Sequence, residues 1–354
     1  MPLAYPFDQV PGTSEVLEIV PGVKWVRSPL PISLNHINCY LLQEGDAWCI
    51  VDTGMNSALA REQWQAILQI VAGEQNKGAP RITRIIGTHH HPDHIGLAGW
   101  LCDEYRAPLF MSEREYLFMR TYSQPKLRTD YWETQQFFTR TGMSEASCKE
   151  LFAHDDFTHM VSDPPTAYHR LRNGMSLQIG EHRWQVITTR GHAPEHVSLY
   201  CEALQLLLAG DQVLPKITPN LNVGPTDPDD DPLAYWFDGH QKLRDRVPDS
   251  VLVLPSHQRP FYGLHARIEA IIRHHHERLD AIVALIEAPL SVQQITRQLF
   301  DRELNVFQNF LAVGEVLAHL RYLENLGFVE RKQVADTWQF QRTPYYTPFL
   351  VQMN

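Results

Sequence analysis

The sequence predicts a layered α/β fold followed by a smaller, mainly helical region. Up to residue 261, short β-rich runs bounded by turn residues alternate with segments of helical periodicity. Several of these runs end at an aspartate or a histidine, as expected where strand ends form a ligand site. From residue 262 onward, long helical segments are followed by two short strands.

Local patterns support each element. The β-rich runs are 23–26, 37–42, 47–51, 82–86, 176–179, 184–188, 198–201, 205–209 and 251–254. Helical spacing predicts helices over 57–71, with Ser57 as the N-cap, over 95–105 and over 232–243. The first helix is expected to bury one face made of Leu59, Trp64, Ile67, Leu68 and Val71.

Composition and charge restrict the class of protein. Hydrophobic residues make up 44% and charged residues 20% of the 354 residues, as in ordinary globular proteins. The apolar runs are too short to span a bilayer, and residues 1–12 lack the pattern of a secretion signal. Five scattered cysteines without a CxxC motif predict reduced thiols in the cytoplasm. The formal net charge of −10 argues against a non-specific nucleic-acid binder.

The region after residue 261 is predicted to be a second domain, so that the domains are 1–261 and 262–354. Its helical segments are 266–286, 291–300 and 314–326, and its short strands are 328–330 and 337–340. This order is similar to that of a winged helix. Its basic residues alternate with acidic ones, which favours packing against the first domain or a second subunit over nucleic-acid binding.

A helical insertion is predicted over about 112–160, between two groups of candidate ligands. One interpretation is a cap over a substrate pocket, which would suit an anionic or acyl-CoA-like small molecule. The alternative is an insertion that packs against its own domain or forms a homodimer. The aromatic and basic residues available for a cap are Tyr116, Arg120, Tyr122, Lys126, Arg128, Tyr131 and Trp132.

The segment from Thr88 to His94 contains most of the candidate metal ligands, and other segments supply the rest. Its His89, His91 and His94 provide three spaced imidazoles and Asp93 a carboxylate, which are the side chains that zinc and similar metals bind in proteins. Further aspartates and histidines also follow directly after predicted strands, so one edge of a sheet would bring all of them together. The predicted metal ligands are His89, His91, Asp93, His94, His192, Asp211 and His257.

Strand geometry divides these ligands between two metal ions. His89 and His91 can bind one ion together, because residues i and i+2 of an extended segment point the same way. Asp93 and His94 begin a helix and suit a second ion, and Asp211 is the natural bridge. His192 then completes the first ion's ligands, and His257 completes the second's.

Three other side chains near these ligands are given supporting roles. Asp52 is predicted to orient a metal-bound histidine, with a turn-stabilising aspartate as the alternative. His90 is expected to point away from the metals by strand alternation, and His196 to make a structural hydrogen bond. The run 274–276, three histidines on the helix after the first domain, is interpreted as packing or surface residues.

These motifs closely resemble those of the metallo-β-lactamase superfamily. The matching pieces are Asp52 in Val-Asp-Thr-Gly, the His89-x-His91-x-Asp93-His94 motif, Gly191-His192, Gly210-Asp211 and Ser256-His257. The resemblance implies an αββα sandwich with a two-metal site over roughly 15–260. A narrower similarity, in 210–215, 217–220, 254–257 and 275–279, is to a hydrolase branch with a C-terminal winged-helix extension. Members of that branch cleave thioesters, esters or lactones, and some cut single-stranded RNA.

The expected function is therefore hydrolysis by a hydroxide that bridges two divalent metals, most simply zinc, with iron or manganese as alternatives. Asp93 and Asp211 are the carboxylates expected to hold the reacting centre together. The leading substrate is a small thioester, ester or lactone, with no nucleic acid or membrane partner. Two alternatives remain: a single-strand RNA phosphodiesterase, and a ligand-sensing regulator that binds nucleic acid.

Overall fold

A computed structural model describes residues 3–31, 34–75, 78–121, 132–154 and 158–352. These residues form two compact units. The first unit is drawn from Met1–Pro125, Phe157–Pro219 and Gly239–Arg267. The second is drawn from Lys126–Asp156, Asn220–Asp238 and Ile268–Asn354. The second unit includes two segments that precede residue 262 in the sequence. The predicted domain boundary after residue 261 therefore stays a prediction.

The first unit contains two β-sheets. The seven strands of its larger sheet are, in spatial order, Leu17–Val20 (β1), Val23–Pro29 (β2), His36–Glu44 (β3), Ala47–Val51 (β4), Ile82–Ile86 (β5), Leu109–Ser112 (β6) and Tyr168–Leu171 (β7). Strands β1 to β4 pair antiparallel, whereas β4 to β7 pair parallel. The carboxyl ends of the parallel strands therefore lie at one edge of this sheet.

The smaller sheet has five strands. In spatial order they are Leu252–Pro255 (β12), Leu206–Gly210 (β11), His196–Cys201 (β10), His182–Thr189 (β9) and Ser176–Ile179 (β8). Strands β8 to β11 pair antiparallel, and β11 pairs parallel with β12. Since β11 and β12 are parallel, the residues that follow them also emerge at one edge.

Strand alternation builds two hydrophobic cores, one on each face of the larger sheet. In β3, Leu41 faces the core shared with the helices, while Tyr40 and Leu42 face the core shared with the smaller sheet. Ile50 and Val51 divide in the same way along β4. Both faces of these strands are buried, which explains their nearly continuous apolar sequence. The two sheets therefore pack face to face as the centre of a sandwich.

Helices cover the outer face of the larger sheet. They are Ala58–Glu74 (α1), Pro92–Ile95 (α2), Ala98–Tyr105 (α3) and Glu113–Thr121 (α4). Ser57 caps α1 as predicted, since its side chain accepts a hydrogen bond from the Ala60 amide. Trp64, Ile67, Leu68 and Val71 of α1 are buried. Leu59 was wrongly assigned to that face and is 55% exposed, because it lies in the first turn beside the buried stripe.

The helix Pro232–Arg246 (α7) contributes its second half to the first unit. There Lys242 donates a hydrogen bond to the Thr188 carbonyl of β9, 2.8 Å away, and Leu243 is fully buried. The smaller sheet is thus covered by helix as well, which completes the αββα layering. Within the described part of the chain, every helix is too short or too polar to cross a bilayer.

The second unit combines helices with a small sheet. Its helices are Trp132–Thr141 (α5), Glu145–His154 (α6), most of Leu264–Leu285 (α8), Val292–Leu299 (α9), Val306–Asn325 (α10) and Phe349–Gln352 (α11). Its sheet has the order Leu290–Ser291 (β13), Thr337–Arg342 (β15) and Val329–Val334 (β14). Capping boxes at Ser291 and Asn305 begin α9 and α10. The winged-helix interpretation of this region stays a prediction.

The predicted helical insertion is divided between the two units. Its start, Ser112 and α4, belongs to the first unit, whereas α5 and α6 belong to the second. In α5, Phe137 lies edge-on to Trp338 of β15 at 6.0 Å, and Phe138 lies 5.9 Å from Phe310. Of the predicted cap residues, Tyr122, Lys126, Arg128 and Tyr131 lie outside the described residues. Helix α5 therefore packs its aromatic side chains inside the second unit.

A buried histidine pair joins two helices of the second unit. His275 of α8 and His319 of α10 are 1% and 0% exposed, and their ring nitrogens Nδ1 and Nε2 lie 3.1 Å apart. His319 Nδ1 donates to the Glu315 carbonyl at 2.8 Å. Burial lowers the pKa of His319 to about 4, and the nearby Arg278 charge contributes to this. The neutral form of His319 therefore stabilises the packing of α8 against α10.

This pair predicts acid sensitivity of the second unit. His319 takes up its proton near pH 6.5 when unfolded but only near pH 4 when folded, so stability is full above pH 6.5 and is lost as the pH falls towards 4. We expect the free energy of unfolding to fall by about 2 kcal/mol between about pH 7.5 and pH 5 from this group alone. Urea unfolding of wild type and His319→Gln should show a smaller pH effect in the variant. His182→Gln, on strand β9, is the control; an unchanged pH effect in His319→Gln would contradict the prediction.

Candidate metal centre

The predicted ligands, together with the supporting Asp52, converge at one edge of the first unit, where five strands end. They follow β4 (Asp52), β5 (the loop 88–94), β9 (His192), β11 (Asp211) and β12 (His257). The parallel pairs β4–β5 and β11–β12 bring four of these strand ends side by side within their two sheets. Possible metal ligands form two groups without shared residues, and a third set of His89, His94 and Asp211 links them; the ligand atoms within each set are all within 4.8 Å of one another.

The first group consists of three imidazoles. His89 Nε2 lies 3.0 Å from His91 Nδ1 and 3.3 Å from His192 Nε2. His89 is fully buried, while His91 and His192 are partly accessible. The structure thus brings together both histidines of the i, i+2 pair and the one from the loop after β9. Three converging imidazole nitrogens are a common ligand set for zinc.

The second group combines a carboxylate with two imidazoles. Asp93 Oδ2 lies 3.5 Å from His257 Nε2 and 3.7 Å from His94 Nε2. Asp93 lies in α2, which begins directly after His91, so the short helix turns its side chain away from the first group. The side chain of Asp93 remains 20% exposed, whereas those of His94 and His257 are almost fully buried. Solvent and a substrate can therefore reach this group at Asp93.

The carboxylate of Asp211 lies between the two groups. Its Oδ2 is 3.4 Å from His192 Nε2 and 3.5 Å from His94 Nε2, and its Oδ1 is 3.5 Å from His257 Nε2. One carboxylate thus contacts imidazoles of both groups. This is the arrangement that allows one aspartate to give an oxygen to each of two ions.

Asp52 supports the site through three hydrogen bonds. Its Oδ2 accepts from His94 Nδ1 and from Thr88 Oγ1, each at 2.8 Å, and its Oδ1 accepts from the Thr88 amide at 2.8 Å. The bond to Nδ1 leaves His94 Nε2 facing the other ligands. The prediction of an orienting aspartate therefore agrees with these contacts. Asp52 also has a φ of +57°, so it turns the chain at the end of β4 as well.

His257 is oriented by backbone atoms from β3. Its Nδ1 donates to the His36 carbonyl at 2.9 Å, so its Nε2 points at the ligands. The loop that carries it is held by Asn38, whose Nδ2 donates to the Pro255 and Gln258 carbonyls at 2.9 and 3.0 Å. Arg27 donates to the same Gln258 carbonyl at 2.5 Å. Sequence analysis missed these residues, because each contact joins positions more than 200 residues apart.

His196 makes the structural hydrogen bond expected of it. Its Nε2 accepts from the Asp211 amide at 3.2 Å and is fully buried. Burial lowers the pKa of His196 to about 3, so its ring is neutral and able to accept. The adjacent Gly210 has a φ of +56°, and a Cβ there would lie 2.3 Å from His196 Nε2. Glycine is therefore required where the chain brings Asp211 into the site.

A second supporting carboxylate, Glu115 in α4, was not predicted. It is fully buried and accepts hydrogen bonds from the His90 amide at 2.9 Å, from His90 Nδ1 at 2.6 Å and from the Glu195 amide at 2.5 Å. His90 thus points away from the ligand atoms, as predicted. Tyr116, expected in a substrate cap, is buried beside it and donates to the Thr166 carbonyl at 2.8 Å. The alternating charges of α4 gave no sign that Glu115 is buried.

The donor set fits divalent metal ions. His94 Nε2 and Asp211 Oδ1 are buried and have no hydrogen-bond partner among the described residues. Buried polar atoms without partners are costly, and both atoms here point towards other ligand atoms. A bound cation would satisfy both of them. Imidazole nitrogen and carboxylate oxygen together suit zinc, iron and manganese.

The electrostatics of the two groups differ. Burial lowers the pKa of His89 and His91 well below the ordinary value, and their imidazole neighbours lower it further. Burial also lowers the pKa of His94 and His257, but Asp211 and Asp93 outweigh it and raise both values. His89 and His91 are therefore neutral and ready to bind a cation, whereas His94 and His257 hold protons that a cation must replace.

Comparison with known families agrees with this site. The model of the metallo-beta-lactamase superfamily matches residues 33–257, and that of a metallo-beta-lactamase-like C-terminal domain matches 279–343. The chain belongs to the metallo-beta-lactamase superfamily. The αββα fold class implied by the sequence motifs is thereby confirmed. The first match ends at His257, the last of the seven candidate ligands.

Relatives of this superfamily member support a hydrolytic activity. It is 26% identical over 315 residues to the probable metallo-hydrolase YqjP of Bacillus subtilis (strain 168), covering 84% of this chain and 91% of YqjP. It is 27% identical over 190 residues to the probable metallo-hydrolase YflN of the same organism, covering 52% and 63% of the two chains. The chain is accordingly a metal-dependent hydrolase.

Solved structures share the whole fold. A beta-lactamase domain protein from Burkholderia ambifaria is 35% identical with a TM-score of 0.85, covering 96% of this chain and 98% of its own. A metallo-beta-lactamase family protein from Thermus thermophilus is 28% identical with a TM-score of 0.77, covering 92% and 100%. Both similarities extend beyond residues 33–257, so the C-terminal region is part of the shared architecture.

Removing the charge of Asp52 tests its orienting role. In Asp52→Asn the amide NH2 replaces an accepting oxygen, so either Thr88 or His94 loses its partner. We expect metal affinity and hydrolysis to fall by about 10- to 100-fold, as is typical when a residue that orients a ligand is changed. Metal analysis and calorimetric titration measure this. Asp103→Asn, exposed on α3, is the matched control; equal affinities in both variants would show that Asp52 only stabilises its turn.

Protons held by the second group predict pH-dependent metal binding. Because the pKa values of His94 and His257 are raised, these rings carry protons near pH 7 that the metal must displace. We expect proton release on metal binding, and affinity that increases from about pH 6 to pH 8. Calorimetry with Zn²⁺ in buffers of different ionisation enthalpy counts the protons. His257→Ala should reduce the release, while His91→Ala, which removes a ring whose pKa is lowered, should retain it; no release from the wild type contradicts the prediction.

Proposed function

We propose that this protein is a binuclear metallohydrolase that cleaves a small thioester, ester or lactone. The observation that carries the proposal is the position of Asp211, whose carboxylate contacts imidazoles of both ligand groups. A single-ion site needs three or four ligands, whereas seven converge here. The surplus is explained by two ions, with His89, His91 and His192 on one, Asp93, His94 and His257 on the other, and Asp211 shared.

The protein's own residues provide the setting for hydrolysis. When bound, divalent ions lower the pKa of a coordinated water to near 7 and polarise the carbonyl under attack. Asp93 is the more exposed of the two ligand carboxylates, with 20% of its side chain accessible against 8% for Asp211. It is therefore the side chain placed to accept a proton from the attacking water. The chemistry needs no serine or cysteine nucleophile, and the seven candidate ligands are all histidines or aspartates.

The substrate class rests on two observations. The segments 210–220 and 254–257 resemble those of a hydrolase branch that acts on thioesters, esters and lactones. The net charge of −10 opposes a polyanion such as RNA, which the same two ions could otherwise cleave. A small molecule is thus the proposed partner, and zinc the proposed metal. All five cysteines are free thiols, which supports a reducing compartment such as the cytoplasm.

Metal content tests the binuclear site directly. Protein purified without chelator is expected to hold about two ions per chain, and Asp211→Ala to lose at least one of them, because it removes a ligand from both groups. Elemental analysis gives the ratio, and Asp103→Asn serves as the control. Metal content well below one ion per chain, with hydrolysis unaffected by chelation, would overturn the proposal.

A substrate panel tests the reaction. We expect turnover of model thioesters, esters or lactones, and loss of that turnover by at least about 100-fold in His91→Ala, since a ligand of the first group is removed. Single-stranded RNA belongs in the same panel. Cleavage of RNA that is lost in His91→Ala, without any acyl turnover, would show that the site is a phosphodiesterase centre instead.

A further inference from the structure

Glu115 connects the two loops that carry the first ligand group. Its Oε2 accepts from the amide and the imidazole of His90, and its Oε1 accepts from the amide of Glu195. His90 lies between the ligands His89 and His91, and Glu195 lies three residues after His192. One carboxylate therefore spans the loop after β5 and the loop after β9, and its three hydrogen bonds are to residues beside the ligands.

The geometry of the first group depends on how these two loops are placed. Two of its nitrogens come from the loop after β5 and one from the loop after β9, with His89 Nε2 and His192 Nε2 only 3.3 Å apart. Zinc–nitrogen bonds are close to 2.0–2.1 Å, so a shift of a few tenths of an ångström between the loops distorts the site. The tie through Glu115 is thus close enough to affect metal binding.

The loop after β9 is also held by residues next to Glu115. Ser112 Oγ, at the end of β6, donates to the Glu195 carbonyl at 2.6 Å, and the Arg114 amide of α4 donates to Glu195 Oε2 at 3.2 Å. The end of β6 and the start of α4 therefore hold Glu195 at three points. For the loop after β5, this helix contacts His90 through Glu115 and through the ring of Phe118, 5.0 Å away. Glu115 is therefore a side chain that hydrogen-bonds to both loops.

The burial of Glu115 is not explained by stability alone. A fully buried carboxylate must replace its hydration with hydrogen bonds, and a well-packed apolar side chain would avoid that cost. Its three donors all come from the loops beside the metal ligands. The second ligand group has separate supports, since His94 is oriented by Asp52 and His257 by the His36 carbonyl.

We propose that Glu115 is a positioning residue that sets the spacing of the first ligand group. It thereby determines the affinity of one of the two metal positions and leaves the other unaffected. The inference rests on the proposed two-ion site. It predicts that the affinity for one ion depends on Glu115, whereas the affinity for the other does not. A residue needed only for folding would affect both positions together.

A titration of the metal-free, full-length protein with Co²⁺ tests this, because the visible spectrum of Co²⁺ reports each site. In wild type we expect two binding steps, and His192→Ala identifies the step that belongs to the first group. Glu115→Gln keeps the size but presents an NH2 to one of the donors. We expect it to weaken that same step by about 10- to 100-fold and to leave the other step within about twofold.

Two further variants make the result decisive. Glu113→Gln is the matched control, since Glu113 lies two residues away on the same helix, pairs with Arg170 and is 44% exposed; it should titrate like wild type. His90→Ala removes one of the three donors and is partly exposed. It should weaken the first-group step by a smaller factor, and it keeps the test open if Glu115→Gln does not fold.

The outcomes separate this inference from the proposed function. Two Co²⁺ steps in wild type that neither Glu115→Gln nor His90→Ala changes would overturn the role of Glu115 while leaving the two-ion site intact. Equal weakening of both steps would also overturn it, as it indicates a general folding role. Absence of Co²⁺ binding by wild type would instead contradict the proposed function.

Discussion

The rest of the site depends on the buried carboxylate of Asp52. It lies at the end of one strand and accepts three hydrogen bonds from the segment after the next strand, two from Thr88 and one from His94. A buried carboxylate is stable only when its oxygens are satisfied, so the strand end and the histidine loop must come together for either to be buried. The positive φ of Asp52 is maintained by the same contacts. The position of the loop 88–94 follows from this constraint.

The same principle recurs around the other ligands. The Nδ1 atom of His94 is held by a carboxylate and that of His257 by a backbone carbonyl, so the Nε2 atom of each faces the ligand cluster. The amide of Asp211 donates to His196 Nε2, and Glu115 accepts a hydrogen bond from His90, between two ligands of the first group. The His94 and His257 rings are thus each aimed by a hydrogen bond at the nitrogen that faces away from the cluster. The fold brings the candidate ligand atoms close together. Among the described residues, His94 Nε2 and Asp211 Oδ1 have no hydrogen-bond partner, and a bound cation would satisfy both atoms.

The positions of α5 and α6 in the sequence do not indicate that these helices belong to the second unit. Helices α5 and α6 lie in sequence between two ligand loops, yet the aromatic side chains of α5 pack against β15 and α10. Periodicity predicts that a helix has an apolar face but not which surface covers it. The exposed Leu59 illustrates the same limit, since spacing alone placed it on the buried face of α1.

The sequence by itself determined the types and the order of the candidate ligands and the strands that they follow, because these depend on local periodicity and on side-chain chemistry. It also determined that His90 alternates away from His89 and His91, since strand geometry is local. Only the tertiary structure decided which atoms support the ligands: the His36 carbonyl for His257, and Glu115 for the first group. These contacts join residues separated by 25 to 221 positions. Nothing in local sequence encodes such pairs, because they arise from hydrogen-bond satisfaction in a buried interior that forms only when the sheets pack together.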